Sequence, residues 1–222
     1  ERSVKRQLAL IEGILEVARL EDGALAVRSE VLDAGPLVEE ALRAIRPAVE
    51  ARRLSLETDV PASLPAVRTD PALVTRVLEN LVGNAVKFTE PGAGPIRVSL
   101  RVDGMAVEVR VKDSGPGIEE SVRPRVFEKF AVGSLPGRGS GLGLAFCRLA
   151  VEAQGGRIRL EDPGPGAAFA CRYRCTLPRR FVNVPSSSAT FAIGSAAATF
   201  GRWSGSVVPT TSSRCGTSSF PG

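Results

Sequence analysis

The stretch NLVGNAVKFT, residues 80–89, decides how the rest of the chain is read. Its apolar spacing is that of a helix, yet Asn80 and Asn84 stand four apart and Lys87 three further on. Asparagine competes for backbone hydrogen bonds and favours caps and turns over helix interiors. At about 100° per residue, Asn80 at zero puts Asn84 at about 40° and Lys87 at about −20°. The three share one edge. Val77, Leu78, Leu81, Val82 and Ala85 form the apolar stripe beside it, from about 60° to about 200°. A polar edge bordering a buried face can look into a pocket; a solvated helix edge is the plainer alternative. Amide oxygens suit a hard cation, and Mg2+ characteristically keeps waters and adds substrate phosphates. An ammonium group nearby suits the same phosphates.

Outward from this stretch, Asp70-Pro71 marks the helix start, with Asp as cap and Pro in the first turn. Pro91-Gly92 marks its end. Residues 96–103 and 106–113 alternate around Asp103-Gly104 and read as a β-hairpin. A short helix is expected near 119–127, a glycine-rich loop over 132–141 and a helix over 142–154. A last hairpin pairs 157–161 with 168–177 through the turn Pro163-Gly164-Pro165-Gly166. Upstream, a helix over 36–52 precedes a short strand at 54–58 and a loop marked by Pro61 and Pro65. These elements imply an α+β fold, a two-layer sandwich with helices on one face of a mostly antiparallel sheet.

Val4, Leu8, Ile11, Leu15 and Ala18 repeat at 4-3-4-3 spacing, widened by Ile14 and Val17. The helix either packs on its own domain or serves a helical bundle whose partner lies upstream; the width of the stripe favours the bundle. The chain opens at Glu1 without Met and is expected to be part of a longer protein. Residues 1–30 are read as the end of this helix and a linker, 31–178 as the main domain. Residues 179–222, rich in Ser, Thr, Ala and Gly, are expected to be disordered or non-native.

Composition narrows the function. The net charge of +5 rests on 29 basic and 24 acidic residues. Four of the arginines (Arg179, Arg180, Arg202, Arg214) lie after residue 178 with no acid among them. Residues 1–178 therefore carry 25 basic against 24 acidic groups, and nucleic-acid binding is not expected. The sequence has no histidine, which removes His-based zinc sites, Ser-His-Asp triads and histidine general bases. Cys147, Cys171, Cys175 and Cys215 form no CxxC pair, and Cys171 and Cys175 would lie about 13 Å apart on a strand. A reducing, cytoplasmic compartment is the simplest reading. No run of about 18 apolar residues suggests a membrane span.

Two further motifs give the polar edge something to face. In DSGPGI, 113–118, Asp113 continues the inward parity of Val107, Val109 and Val111. A buried carboxylate needs a donor; adenine's exocyclic amine offers one, whereas guanine presents a carbonyl there. In GRGSGLGLAFC, 137–147, alternating glycines lead into a helix, an arrangement whose amides suit phosphate. The loop lacks the Walker pattern and does not follow a strand as a dinucleotide fingerprint does.

Taken in order, NLVGNAVKFT, DSGPGI, VFEKF (126–130) and GSGLGL (139–144) resemble the N, G1, F and G2 boxes of sensor histidine kinases. These kinases belong to the GHKL ATPase superfamily with its Bergerat-type ATP-binding fold. LIEGILEVARLEDGAL (10–25) resembles the end of the second dimerisation helix that precedes that domain. The resemblance covers about residues 5–178. It implies ATP and Mg2+ as ligands, with Asn84 holding Mg2+ and Asn80 and Lys87 meeting the phosphates. Asp113 binds the adenine amine, and Gly115 and Gly117 shape its pocket. Gly139, Gly141 and Gly143, with Leu142 between them, lie on the phosphate side of a lid spanning roughly 119–140. Arg138 reaches a phosphate, and Phe127 and Phe130 anchor the lid or serve as core aromatics.

It also implies a two-component system, with a homodimer through the N-terminal helix and a response regulator as partner. Membrane attachment of the parent is left open. In hydrolysing members of the superfamily the residue at position 80 is a glutamate that activates water. Here it is Asn80, and Glu79 points about 100° away. Transfer to an acceptor is favoured over hydrolysis. The acceptor histidine of the family is absent from this chain, so a non-catalytic nucleotide-binding module and a GHKL-type ATPase remain alternatives.

Overall fold

The computed structural model describes residues 2–23, 25–131, 140–161 and 165–176. Helix α1 (Arg2–Glu21) leads to strand β1 (Glu30–Asp33), helix α2 (Ala34–Ala51) and strands β2 (Leu56–Asp59) and β3 (Ala66–Thr69). Helix α3 (Pro71–Phe88), strands β4 (Ile96–Asp103) and β5 (Ala106–Lys112), helix α4 (Gly143–Ala153) and strands β6 (Arg157–Glu161) and β7 (Ala168–Arg174) follow. The main sheet has the order β2-β4-β5-β7-β6. β2 runs parallel to β4, and the remaining pairs are antiparallel. The expected α+β sandwich is therefore present, with a mixed, mostly antiparallel sheet.

The inner row of β5 (Val107, Val109, Val111) meets α2, α3 and α4 in one core. α3 contributes Val77, Leu78, Leu81 and Val82, each at most 2% exposed, which is the stripe that its 3.6-residue period predicts. Its start is fixed twice. Asp70 caps it, accepting from Ala72 N at 3.0 Å and Leu73 N at 3.3 Å; such a cap is worth about 1 kcal/mol. Gln154, just past α4, accepts from Thr69 Oγ1 at 2.6 Å and Asp70 N at 2.7 Å. The far end of α4 thus pins the beginning of α3.

Several boundaries differ from the sequence reading. β1 and β3 were not expected; they pair with each other, Glu30 opposite Thr69, as a separate two-stranded sheet. Four residues are too few to display a period, so tertiary pairing defines them. The strand expected at 54–58 begins at Leu56 and ends at Asp59. The helix expected near 119–127 is reduced to a 3-10 turn, Arg123–Arg125, with Pro124 in its first turn. Residues 179–222 lie outside the described residues.

The outer sheet face departs from simple alternation. Glu108, on the solvent-side parity of β5, is 0% exposed. Arg101 Nε donates to its Oε1 at 2.8 Å, and Arg159 Nη1 lies 2.6 Å from its Oε2. Arg110 and Arg159 both donate to Glu161, at 2.6 and 2.7 Å. The guanidinium heads themselves engage the carboxylates, while the side chains of Arg101 and Arg159 stay 59% and 38% exposed. Partial burial pushes the Glu161 pKa up, but the bonds and charges of Arg110 and Arg159 outweigh it and hold it below the ordinary value.

The C-terminal half of α1 docks on the domain. Val17 and Leu20 are buried, Glu16 pairs with Arg76 of α3, and Glu21 lies 2.9 Å from Lys129 Nζ. Further toward its N-terminus, Val4, Leu8, Ile11 and Leu15 stay 50–57% exposed. Cys147, Cys171 and Cys175 are free thiols. Burial, then the charge of Glu108, pushes Cys171 up to about 12, so it is an unreactive core group.

Two outcomes follow for stability. Glu108→Ala strands two half-exposed arginines and is expected to cost about 1–3 kcal/mol, read by urea unfolding. Glu161 has a folded pKa below its unfolded value of about 4.3. Its contribution is therefore complete above that value and is lost as pH falls through the folded pKa. Urea midpoints between pH 6 and pH 3 should fall less steeply in Glu161→Gln than in the parent, and equal slopes would contradict this.

Candidate functional site

α3 carries Asn80, Asn84 and Lys87 along one edge, and other segments close on that edge at two places. At the first, α4 begins against Asn80. A Cβ placed on Gly143 would lie 2.7 Å from Asn80 Oδ1, so a larger residue at the start of α4 would displace the Asn80 amide from its present position. Asn80 Nδ2 donates back to Arg76 O at 2.9 Å. α4 opens with Leu142 as its cap residue, without a capping side-chain bond and without an acid in its first turn. Its leading amides thus lack the usual side-chain acceptor. Just upstream, Gly141 takes φ +69°, and a Cβ there would lie 2.6 Å from Phe130 Cα. Its carbonyl accepts from Phe130 N at 3.0 Å.

At the second place, the turn after β5 meets the end of α3. Asp113 is 8% exposed. Its Oδ1 accepts from Gly115 N at 2.9 Å and from Ala167 N at 3.0 Å. Its own N–H donates to Ala167 O at 2.9 Å. Oδ2 takes neither of the two side-chain bonds. A Cβ on Gly115 would lie 2.9 Å from Phe88 O, and one on Gly166 would run into the Asp113 carbonyl oxygen. Gly117, at φ +82°, sits against Gly166 in the same knot.

Asn80 and Phe88 are eight residues apart, a rise of about 12 Å. The two clusters are therefore separated by about 12 Å along α3, with Asn84 and Lys87 between them. Lys87 Nζ lies 4.9 Å from the centre of the Phe88 ring. One end offers a carboxylate oxygen in an almost dry setting. The other offers uncapped helix amides beside an asparagine. That polarity suits an elongated ligand with a hydrogen-bond donor at one end and anionic groups at the other. Among the described residues no cluster of three His, Cys, Asp or Glu could hold a metal. A divalent cation here would rest on the Asn84 amide and on oxygens that the ligand brings.

Of the residues singled out in the sequence, Asn80, Gly141, Leu142 and Gly143 come together at the first cluster, and Asp113, Gly115 and Gly117 at the second. Phe127 packs edge-on against Phe169, centroids 6.0 Å apart, whereas Phe130 is exposed and takes φ +61°. Arg138 and Gly139 lie outside the described residues. Sequence reasoning assigned no role to Gly166 or Ala167, which clasp Asp113. The only signal was the Pro163–Gly166 turn, and nothing in it points to position 113.

Comparison with known proteins bears on the family and the fold. The model of the histidine kinase-, DNA gyrase B-, and HSP90-like ATPase family matches residues 69–179. The alginate biosynthesis sensor protein KinB of Pseudomonas aeruginosa is 34% identical over 171 residues, covering 76% of this chain and 28% of that protein. The adaptive-response sensory kinase SasA of Synechococcus sp. (strain JA-3-3Ab) is 33% identical over 172 residues, covering 76% and 45%. The chain thus spans less than half the length of these relatives. Among solved structures, full-length ShkA in complex with AMPPNP superposes with a TM-score of 0.69 at 29% identity, over 80% of this chain and 38% of that one. The mycobacterial sensor histidine kinase MprB does so with a TM-score of 0.55 at 31% identity, over 67% and 99%.

Because Gly166 has φ +92° and faces the Asp113 carbonyl, Gly166→Ala is expected to cost about 1–3 kcal/mol. It should also loosen the Asp113 clasp. Thermal unfolding reads the first effect, and amide exchange at Gly115 and Ala167 reads the second.

Proposed function

This chain belongs to the histidine kinase-, DNA gyrase B-, and HSP90-like ATPase family, and from that membership we propose that it is the ATP-binding catalytic part of a two-component sensor histidine kinase, handing the γ-phosphoryl group of ATP to a histidine outside this chain. The observation that carries the reading is Asp113: a buried carboxylate with one oxygen held by two amides and the other left for a ligand.

In this reading Oδ2 of Asp113 accepts from the adenine amine. The backbone clasp prevents the carboxylate from turning away, and Gly115 leaves room for the base where a side chain would strike Phe88 O. Asn80, Leu142 and the glycines at 141 and 143 line the phosphate end, and Lys87, based one residue before Phe88, reaches toward the phosphates along α3; the family resemblance assigns Arg138 and Gly139, outside the described residues, to the same ligand. Asn84 contributes an amide oxygen to Mg2+. Bound ATP supplies the phosphoryl group, and Mg2+ offsets its charge. The protein's part is alignment and charge complementarity.

Asn80 favours transfer over hydrolysis, since a neutral amide cannot take a proton from water. Glu79 is exposed and about 100° round the helix. The exposed apolar stripe of α1 suits pairing with a second copy of the protein, and a response regulator is the downstream partner. Among the described residues no helix is long and apolar enough to cross a membrane; a cytoplasmic position is proposed for this domain.

Calorimetry with Mg·ATP should show binding, with adenine preferred over guanine. Asp113→Asn should weaken it by about ten-fold to a hundred-fold, the worth of a hydrogen bond to a charged group. Mixed with a partner protein carrying the family's histidine-bearing helix, the chain should transfer labelled phosphate while releasing little free phosphate. Absence of nucleotide binding at millimolar ATP would refute the kinase reading. Binding without transfer would favour a nucleotide-sensing module, and brisk hydrolysis by the chain alone a GHKL ATPase.

A further inference from the structure

The end of the sheet away from Asp113 carries a different chemistry. β7 is followed by an antiparallel bridge, Val67 opposite Cys175, that places β3 alongside it. Thr176 N donates to Ala66 O at 2.8 Å and confirms the register. In that register Arg68 stands beside Arg174. Two residues back along β7, Arg157 stands opposite Arg172. Residues directly opposite one another share a sheet face, as do residues two apart on one strand. The four arginines therefore form a block on the outer face, two cross-strand pairs about 7 Å apart along the strands.

Like charges set opposite one another in a sheet destabilise it. The block has little to offset them. Asp103 Oδ2 lies 3.2 Å from Arg172. Glu108, the neighbour of Arg172 on β5, is engaged by Arg101 and Arg159. Arg68, Arg157 and Arg174 form no ion pair among the described residues. All four line a cavity of about 850 Å3 with Met105, Tyr173 and the Gly155–Gly156 turn. Thr176 also borders it, and its Oγ1 is buried without a hydrogen-bond partner. Gly156 keeps the turn tight, since a Cβ there would strike Arg172 O and Val151. Cavities that hold small molecules run to about 300–1,000 Å3.

We propose that this block is a second anion site, built for a small soluble molecule carrying two or more phosphate groups. The guanidinium fork matches phosphate oxygens bidentately; Arg68, Arg157 and Arg174 offer such forks, while Nη2 of Arg172 is held by the carbonyl and carboxylate of Asp103. β5 separates this site from Asp113 by its seven residues, about 23 Å. It is thus distinct from the nucleotide site and independent of the function proposed there.

The test is calorimetry of the full chain with inorganic tripolyphosphate at low salt, beside a separate titration with AMPPNP. Tripolyphosphate binding should weaken at least ten-fold in Arg157→Ala/Arg174→Ala, with AMPPNP binding unchanged. Arg157→Lys/Arg174→Lys, which keeps the charge and loses the forks, should fall between. Asp113→Asn should leave tripolyphosphate binding as in the parent. The proposal is overturned by no tripolyphosphate binding at millimolar concentration, or by binding indifferent to the double alanine variant. It is overturned equally if that variant loses both ligands together, or if the chain binds phosphoinositide vesicles through these arginines but not tripolyphosphate.

Discussion

Two backbone amides hold Oδ1 of Asp113, one from its own turn at Gly115 and one from Ala167, 54 residues further along the chain. The second is available only because β7 returns beside β5 with Lys112 opposite Ala168. A shift of one residue would send the inner row Val107, Val109 and Val111 outward and carry Ala167 away from the carboxylate. The hydrophobic core and the clasp thus demand the same register. A nearly dry carboxylate would otherwise be costly to place at the mouth of a sheet. The amides stabilise it without neutralising it, and they orient it so that one oxygen is committed and the other remains for a ligand.

α3 meets a related demand from the helical side. Its apolar stripe enters the core, while its polar edge must stay open yet close to neighbouring backbone. Glycine solves this at each contact. Gly143 lets α4 start against Asn80, and Gly115 lets the turn after β5 pass Phe88. Each costs chain entropy relative to alanine, and that cost falls at the two places where backbone approaches the edge most closely. The cap at Asp70 and the tie from Gln154 fix the helix register at its other end, so the edge cannot rotate away from the segments that face it.

This division explains what could be read from the sequence. Asn80, Asn84 and Lys87 were legible as one edge because a helix maps spacing directly onto angle. Asp113 was legible as inward-facing because a strand alternates. Gly166 and Ala167 were not, because their role arises from pairing between distant strands and leaves no local period. β1 and β3 were missed for the same reason: four residues carry too little pattern, and each is defined by the other. Glu108 was outside the sequence reading for a different reason: parity puts it on the solvent side, but parity does not measure burial, and Arg101 and Arg159 pair with its carboxylate.

The charge of the sheet's outer face can be read by the same distinction between direction and partner. Glu108 meets Arg101 and Arg159, and Glu161 meets Arg101, Arg110 and Arg159, so these acids and arginines are paired with one another. Moving along β7 toward Thr176, Asp103 beside Arg172 is the one acid paired with the four-arginine block among the described residues, while the arginines continue. Chain-wide net charge conceals this, since residues 1–178 balance to within one unit. What matters physically is spacing relative to the screening length, about 8–10 Å at moderate salt. Neighbouring guanidiniums on adjacent strands lie inside that distance, and the carboxylates around Glu108 are already paired. A near-neutral domain can therefore carry a locally basic corner, as this one does at the far end of the sheet whose other end holds the buried carboxylate.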